Sequence, residues 1–364
     1  MTIEQEKLLS LVAHSLFGTP TNVNVSEGVL QEARAQAVSS IISPDYRVIA
    51  NNIRVINAHA ELTLLLKKIS FTTFKGYASA YYYPEPSYRP MGDVDFIVDD
   101  DQYEETITKL IASGWKSSSA NHARHDSFYK NGIELELHRE IKGIPNGTDG
   151  IITEYSDVED KVREYLSDLI ETAVNVNTQQ GVVIIPDDFH HGLIMLLHVA
   201  SHMINDGGVG LRHLCDWAVY VNRVDFVNYR ERLQNVGLWT FACQLTKACT
   251  QYLGLPKKPW TGEWPDGIVT ELIEDILEGG NFGKKVEGRT ATMAYEKSSY
   301  AEITMNRYPI TRKHKILLPL FIPLNVIRYG VLMLRGKRKI VKPSTFSNAK
   351  RRAALYQQFE LFKR

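Results

Sequence analysis

The chain has 364 residues, which favours two or three domains over one, and its 44% hydrophobic and 23% charged content is the profile of an ordinary soluble globular protein. Its three cysteines, Cys215, Cys243 and Cys249, are too few and too irregularly spaced for a disulfide framework or a zinc motif, so a reducing cytoplasm is the expected compartment. The 42 basic and 42 acidic residues cancel overall, yet Thr311 to Arg364 carries 14 Lys and Arg against one acid, Glu360; this tail of +13 on a body of −13 predicts an interaction surface for phosphates, anionic lipid or the acidic body itself.

Met1 to Phe17 places Glu4 and Glu6 ahead of its apolar residues, a helix start and not the basic start of a signal peptide. Helical spacing continues to about Lys68, through Val48, Ile53, Val55, Ile56 and Leu62 to Leu66. Ser70 to Phe74 is β-branched and aromatic and reads as a strand ending at Lys75-Gly76. Tyr77 to Tyr83 predicts a short helix stopped by Pro84 and Pro86, and a loop, Glu85 to Gly92, leads into a second strand. Asp99 and Asp100 are placed as N-caps for a helix carrying Tyr103, Ile107, Leu110 and Ile111 on one face, with Gly114 at its C-cap. His125 to Tyr129 and Ile133 to His138 flank Lys130-Asn131-Gly132, a strong hairpin signal. Val174 to Val176 and Val182 to Ile185 suggest another hairpin, and from Asp187 onward the pattern is mostly helical. The order strand, helix, strand, helix, hairpin predicts a small mixed sheet with helices packed on it.

Gly92-Asp93-Val94-Asp95-Phe96-Ile97-Val98 is the most informative stretch. On a strand, residues i and i+2 share a face about 7 Å apart, so Asp93 and Asp95 project together while Val94, Phe96 and Val98 face away. Two acids on one face of a buried strand are costly unless a cation neutralises them. Ile133 to His138 alternates strictly, setting Glu134, Glu136 and His138 opposite the leucines. If that strand pairs beside the acidic one, a third carboxylate joins the pair, a set suited to Mg²⁺ or Mn²⁺ completed by water and phosphate. Lys75-Gly76 at a helix start offers an ammonium, backbone N–H groups and a close approach to a phosphate chain, and Arg89 offers a guanidinium fork.

Phe74-Lys75-Gly76, Tyr83-Pro84-Glu85-Pro86, Arg89-Pro90-Met91-Gly92-Asp93-Val94-Asp95-Phe96-Ile97-Val98 and Glu136-Leu137-His138 together resemble the DNA polymerase β-type nucleotidyltransferase superfamily, and within it a bacterial family of uncharacterised nucleotidyltransferases. The resemblance spans roughly Lys68 to Asn222 and weakly includes the stretch from Pro186 to Trp217, where Leu211 to Trp217 is also similar to the family. It implies an α+β fold: a small mixed β-sheet core with flanking helices plus a mainly α-helical domain. The implied activity is metal-dependent transfer of a nucleoside monophosphate from an NTP such as ATP to an acceptor hydroxyl, with release of pyrophosphate. By resemblance Asp93 and Asp95 match the paired metal ligands and Glu136 the third carboxylate, while Lys75, Gly76 and Arg89 position the nucleotide. Many superfamily members carry Gly-Gly or Gly-Ser after the first strand, where this chain has Lys75-Gly76-Tyr77. The expected division is an N-terminal helical segment (1–68), the core (69–185), a helical domain (186–300) and a basic helical tail (301–364). The alternative is a catalytically degenerate nucleotide- or partner-binding protein of the same fold. The acceptor, a small molecule or an RNA end, is not specified.

Other features carry plainer expectations. His198 and His202, at i and i+4 with His191 on the same stripe, could bind zinc, but position 199 is Val and a packed or hydrogen-bonded role is expected. Glu134 is expected on a solvated face, and Arg212 with Asp216 as a helix-surface ion pair, with a minor substrate-binding role left open by their family-like context. Ile316 to Leu334 is markedly apolar but interrupted by Pro319, Pro323, Asn325 and Arg328; a core or surface-lying helix is expected, with no integral membrane span. The basic cluster Arg335 to Lys342 predicts a solvated face, with contact to an anionic surface as the minority reading.

Overall fold

The computed structural model describes residues 1–118, 125–141, 144, 156–205, 207–286, 301, 304–305, 307–308, 310–311, 314–334 and 343–363; the basic cluster at 335–342 lies outside them. The chain opens with helices α1 (Ile3–Phe17), α2 (Glu27–Ala35), α3 (Ser39–Ile42) and α4 (Tyr46–Leu65). The first is fixed by a reciprocal cap, in which the Thr2 hydroxyl accepts from the Gln5 backbone and the Gln5 side chain accepts from the Thr2 N–H.

Five strands form the main sheet: β1 (Phe71–Phe74), β2 (Val94–Val98), β3 (Lys116–Ser117), β4 (His125–Lys130) and β5 (Ile133–His138). Their spatial order is β1-β2-β5-β4-β3. The β2–β5 pair is parallel and the others are antiparallel, so the sheet is mixed. The hairpin signal holds: Asn131 and Gly132 both have positive φ (53° and 76°), the two-residue turn whose twist matches the flanking strands and which glycine enters without strain. That turn returns the chain so that β5 lands beside β2.

One face of β2 and β5 carries Val94, Phe96, Val98, Ile133, Leu135 and Leu137, all buried, in a core shared with Val55 and Leu62 of α4 and with Tyr103 and Leu110 of α6 (Tyr103–Ala112). Each such side chain contributes roughly 1.5–3 kcal/mol on burial. Asp99 and Asp100 do not cap α6 through their side chains. A short 3₁₀ turn, Asp100–Gln102, intervenes and Gln102 stands at the cap position.

After α5 (Gly76–Ala80) and the helix α7 (Ser156–Tyr165), a separate two-stranded sheet, β6 (Val174–Thr178) with β7 (Gly181–Ile185), leans on β1, where the Thr73 hydroxyl donates to the Ile184 carbonyl at 2.6 Å. The other half is helical: α8 (Asp188–Asn205), α9 (Leu211–Arg223), α10 (Arg230–Asn235), α11 (Trp239–Tyr252) and α12 (Asp266–Gly279). Its core also takes in Leu8, Val12 and Val29 from the N-terminal helices, and Trp217 at its centre donates to Thr246.

The end of the chain closes onto this core. Tyr356, Phe359 and Phe362 are fully buried, and the Phe362 N–H donates to the Gly237 carbonyl at 2.8 Å. The apolar helix Leu318–Leu334 behaves differently. The stretch Lys315–Leu332 is long and apolar enough to cross a membrane by length and composition, yet only 6% of it is buried, which removes the core-helix reading. Ile316, Leu320, Leu324, Ile327 and Val331 lie outward at helical spacing, while Asn325 turns inward and donates to Thr304.

Candidate active site

The site forms where the polar face of the main sheet meets α8 and α9. At the end of β1 the backbone turns sharply: Lys75 sits at φ 60° and ψ −139°, and Gly76 follows at φ 27°. A non-glycine residue in that region costs about 1–3 kcal/mol, a strain that must be held by its surroundings. Here Lys75 reaches across to β2 and its Nζ lies 2.6 Å from Asp95 Oδ1. The helix that follows has only five residues, so the turn and the ammonium, more than a helix dipole, distinguish this corner.

The parallel register sets Asp95 directly beside Glu136. One oxygen from each of Asp93, Asp95 and Glu136 lies within 4.8 Å of the others, so the three expected carboxylates converge. Asp95 is buried, Asp93 is open to solvent and Glu136 is intermediate. His138, on the same face of its strand as Glu136, closes the group: its Nε2 lies 2.8 Å from Asp95 Oδ1 and 3.3 Å from Glu136 Oε2. His125 stands behind, 3.6 Å from Glu136 Oε1. Glu134 points elsewhere and accepts from the Tyr129 hydroxyl at the exposed side of the hairpin, in keeping with a solvated face.

The electrostatics divide the pair. Burial would raise the Asp95 pKa, but Lys75 and His138 hold it below the ordinary carboxylate value. Asp93 is pushed up, first by desolvation and then by Asp95 and Glu136. Burial would lower His138, but its hydrogen bonds to Asp95 and Glu136 outweigh that and raise it. An all-oxygen donor set that already gathers an ammonium and an imidazole fits a hard divalent cation.

A cavity of about 290 Å³ opens beside these groups. Lys75, Gly76, Asp93 and Asp95 line it from the sheet, and His198, His202, Arg212 and His213 from the helices, with Phe282 at its edge. Arg89 also lines it, but its guanidinium is largely committed. Nε and Nη2 each donate to a different Asp216 oxygen at 2.7 Å, Nη1 donates to the Pro90 carbonyl, and Tyr83 Oη donates to Asp216 Oδ1 at 2.8 Å. Both ends of this bridge are buried. Arg89 is therefore chiefly a strut that ties the approach to Asp93 onto α9.

The helix-surface pair expected between Arg212 and Asp216 is replaced by this arrangement. Asp216 turns inward to Arg89, and Arg212 faces the cavity beside the Phe282 ring; among the described residues its Nε has no hydrogen-bond partner and its Nη1 makes a long contact, 3.4 Å, to the Pro90 carbonyl. His191, on the same stripe as His198, stacks on Tyr82 and also lines the cavity. The family-like run Leu211 to Trp217 had left a minor substrate-binding role open for Arg212; the contribution of His213, in the same run, was not read from the sequence.

A mixed sheet bearing clustered carboxylates on its central strands, flanked by helices and closed by a helical half, defines an α+β protein with a nucleotidyltransferase-type core. Residues 2–254 match the family described as "Uncharacterised nucleotidyltransferase", and the chain belongs to that family. A solved structure described as an antigenic nucleotidyltransferase-like protein from Paracoccidioides brasiliensis is similar at 15% identity and a TM-score of 0.36, over 57% of this chain and 94% of that one. No curated protein matches the chain.

Proposed function

We propose that the protein transfers a nucleoside monophosphate from an NTP to an acceptor hydroxyl with release of pyrophosphate, using Mg²⁺ or Mn²⁺ held by Asp93, Asp95 and Glu136. The observation that carries this reading is the convergence of those three carboxylates at the mouth of a cavity whose walls also present Lys75 and Arg212. When bound, a divalent cation supplies charge neutralisation and orientation to the phosphates. Lys75 exchanges its contact with Asp95 for a phosphate oxygen; its side chain is 31% exposed and free to swing. Arg212, with its unpartnered Nε, takes the phosphate-fork role that the sequence suggested for Arg89. Gly76 lets the backbone close on the phosphate chain. Glu136 accepts the proton of the acceptor hydroxyl, and His138 keeps Asp95 and Glu136 oriented. Most of the acceleration comes from positioning and charge compensation.

Asp95→Asn tests the assignment: it keeps the shape of the strand and should abolish pyrophosphate release from NTP across a panel of small-molecule and RNA acceptors. Undiminished release in that variant would sink the mechanism. Mg²⁺-dependent NTP binding by the wild type with no turnover on any acceptor selects the degenerate binding protein instead.

The helix Leu318–Leu334 supports a surface partner. Its outward apolar stripe lies between basic segments in the sequence, and inward-facing Asn325 ties it to the protein. We propose that it lies on an anionic lipid surface without spanning it.

A further inference from the structure

The helical wall of the cavity carries three imidazoles. His198 and His202 stand one turn apart on α8, and His213 enters from the first turn of α9. One ring nitrogen from each lies within 4.8 Å of the others. The two α8 rings approach with Nε2 to Nε2 at 2.5 Å, so both cannot carry a proton there. His213 is buried, its Nδ1 is engaged by the Gly210 backbone, and its Nε2 has no hydrogen-bond partner among the described residues. A buried polar nitrogen left unpaired is costly, which calls for a ligand at the point it faces.

Nothing in this cluster resembles the oxygen set on the sheet side. Imidazole nitrogens favour zinc and its transition-metal neighbours over Mg²⁺. Two ligands at i and i+4 on one helix and a third from another leave one coordination position of a tetrahedral ion open. His213 Nδ1 lies 3.2 Å from the Gly210 nitrogen and 3.3 Å from the Gly210 carbonyl; the tautomer that donates to the carbonyl leaves Nε2 bare, and such a backbone bond fixes the ring of a metal-ligating histidine.

We propose that His198, His202 and His213 bind a transition-metal ion, Zn²⁺ by their chemistry, separate from the Asp93–Asp95–Glu136 site and lining the same cavity. Its open position faces the space where an anionic group of a bound substrate would lie. His198 and His202 are in contact and pack with His213 and Phe282, as expected of packed or hydrogen-bonded histidines; the third donor, His213, is brought in only by the fold.

The test uses the full chain, stripped with a chelator, incubated with Zn²⁺ in excess Mg²⁺, desalted and assayed for bound zinc. One zinc per chain is expected in the wild type and in Asp95→Asn, with loss in His198→Ala and His213→Ala. Absence of retained zinc in the wild type, or retention in the histidine variants with loss in Asp95→Asn, overturns the proposal. A second measurement needs no variant: Co²⁺ added to the stripped wild type should give the intense visible bands of a four-coordinate ion, displaced by Zn²⁺ and not by Mg²⁺. Weak six-coordinate bands, or displacement by Mg²⁺, also overturn it.

Discussion

Replacing Arg89 with Met removes one end of a buried bridge and leaves the other in place. Asp216 would lose both guanidinium hydrogen bonds of 2.7 Å and keep only the Tyr83 hydroxyl. Both residues are about 5% exposed, so water does not replace the lost donors. Breaking such a buried pair from one side costs about 3–5 kcal/mol, a large part of a total stability of roughly 5–15 kcal/mol. The cost depends on pH with a definite sign. In the wild type burial would raise Asp216, but Arg89 holds it low, so its contribution is present above about pH 3.9 and is lost as pH falls through the lowered folded value. In Arg89→Met burial dominates, the carboxylate pKa rises above the unfolded value, and the penalty grows as pH rises through it. Chemical denaturation followed by tryptophan fluorescence should therefore show the largest loss near neutrality and a smaller one near about pH 4.5. Arg89→Met/Asp216→Asn, which keeps an acceptor for Tyr83, should recover part of the loss. A loss under about 1 kcal/mol, a pH-independent loss or no recovery would refute the reasoning. If Arg89 is a strut, the double variant should also bind NTP within about tenfold, or 1.4 kcal/mol, of the wild type.

Three further outcomes follow from the same geometry. Asp93→Asn should raise the melting temperature of the metal-free protein slightly, because it removes repulsion from Asp95 and Glu136, while abolishing Mg²⁺-dependent NTP binding; solvent screening at this open position keeps the gain below about 1 kcal/mol, and a clear loss would contradict the crowding. Lys75→Gly should exceed Lys75→Ala in unfolding free energy by about 1 kcal/mol, since both lack the ammonium and only alanine keeps the strain; equal stability would argue against the positive φ. Leu320→Ser/Ile327→Ser should leave folding intact and reduce sedimentation with phosphatidylserine vesicles at least several-fold, and unchanged sedimentation would remove the lipid surface. Deleting Thr311 to Arg364 would be a poor substitute, because Phe359 and Phe362 are part of the helical core.

What was legible in the sequence was what short-range periodicity encodes. Alternation placed Asp93 with Asp95 and Glu136 with His138, and Asn131-Gly132 announced the hairpin. The parallel pairing of β2 with β5 was a condition, because register between distant strands leaves no local trace. The bridge from Arg89 to Asp216 spans 127 positions, so a helical spacing of four made Arg212 look like the partner of Asp216. The same blindness hid His213 from His198 and His202. Apolar content predicted the helix at 318–334 but not which way its apolar side faces, since that depends on whether another element covers it.

The side-by-side placement of Asp95 and Glu136 has a consequence for how this chain can change in length. Neighbouring residues of a strand face opposite ways, so the site obeys a rule of parity. One residue inserted between Ile133 and Glu136 would send the carboxylate to the leucine side and a leucine toward the cavity. Two would restore the facing and slide Glu136 one pair along β2. The stretch of β5 before Glu136 therefore tolerates no change of length that keeps the site: an odd step turns the carboxylate away and an even step moves it out of line with Asp95.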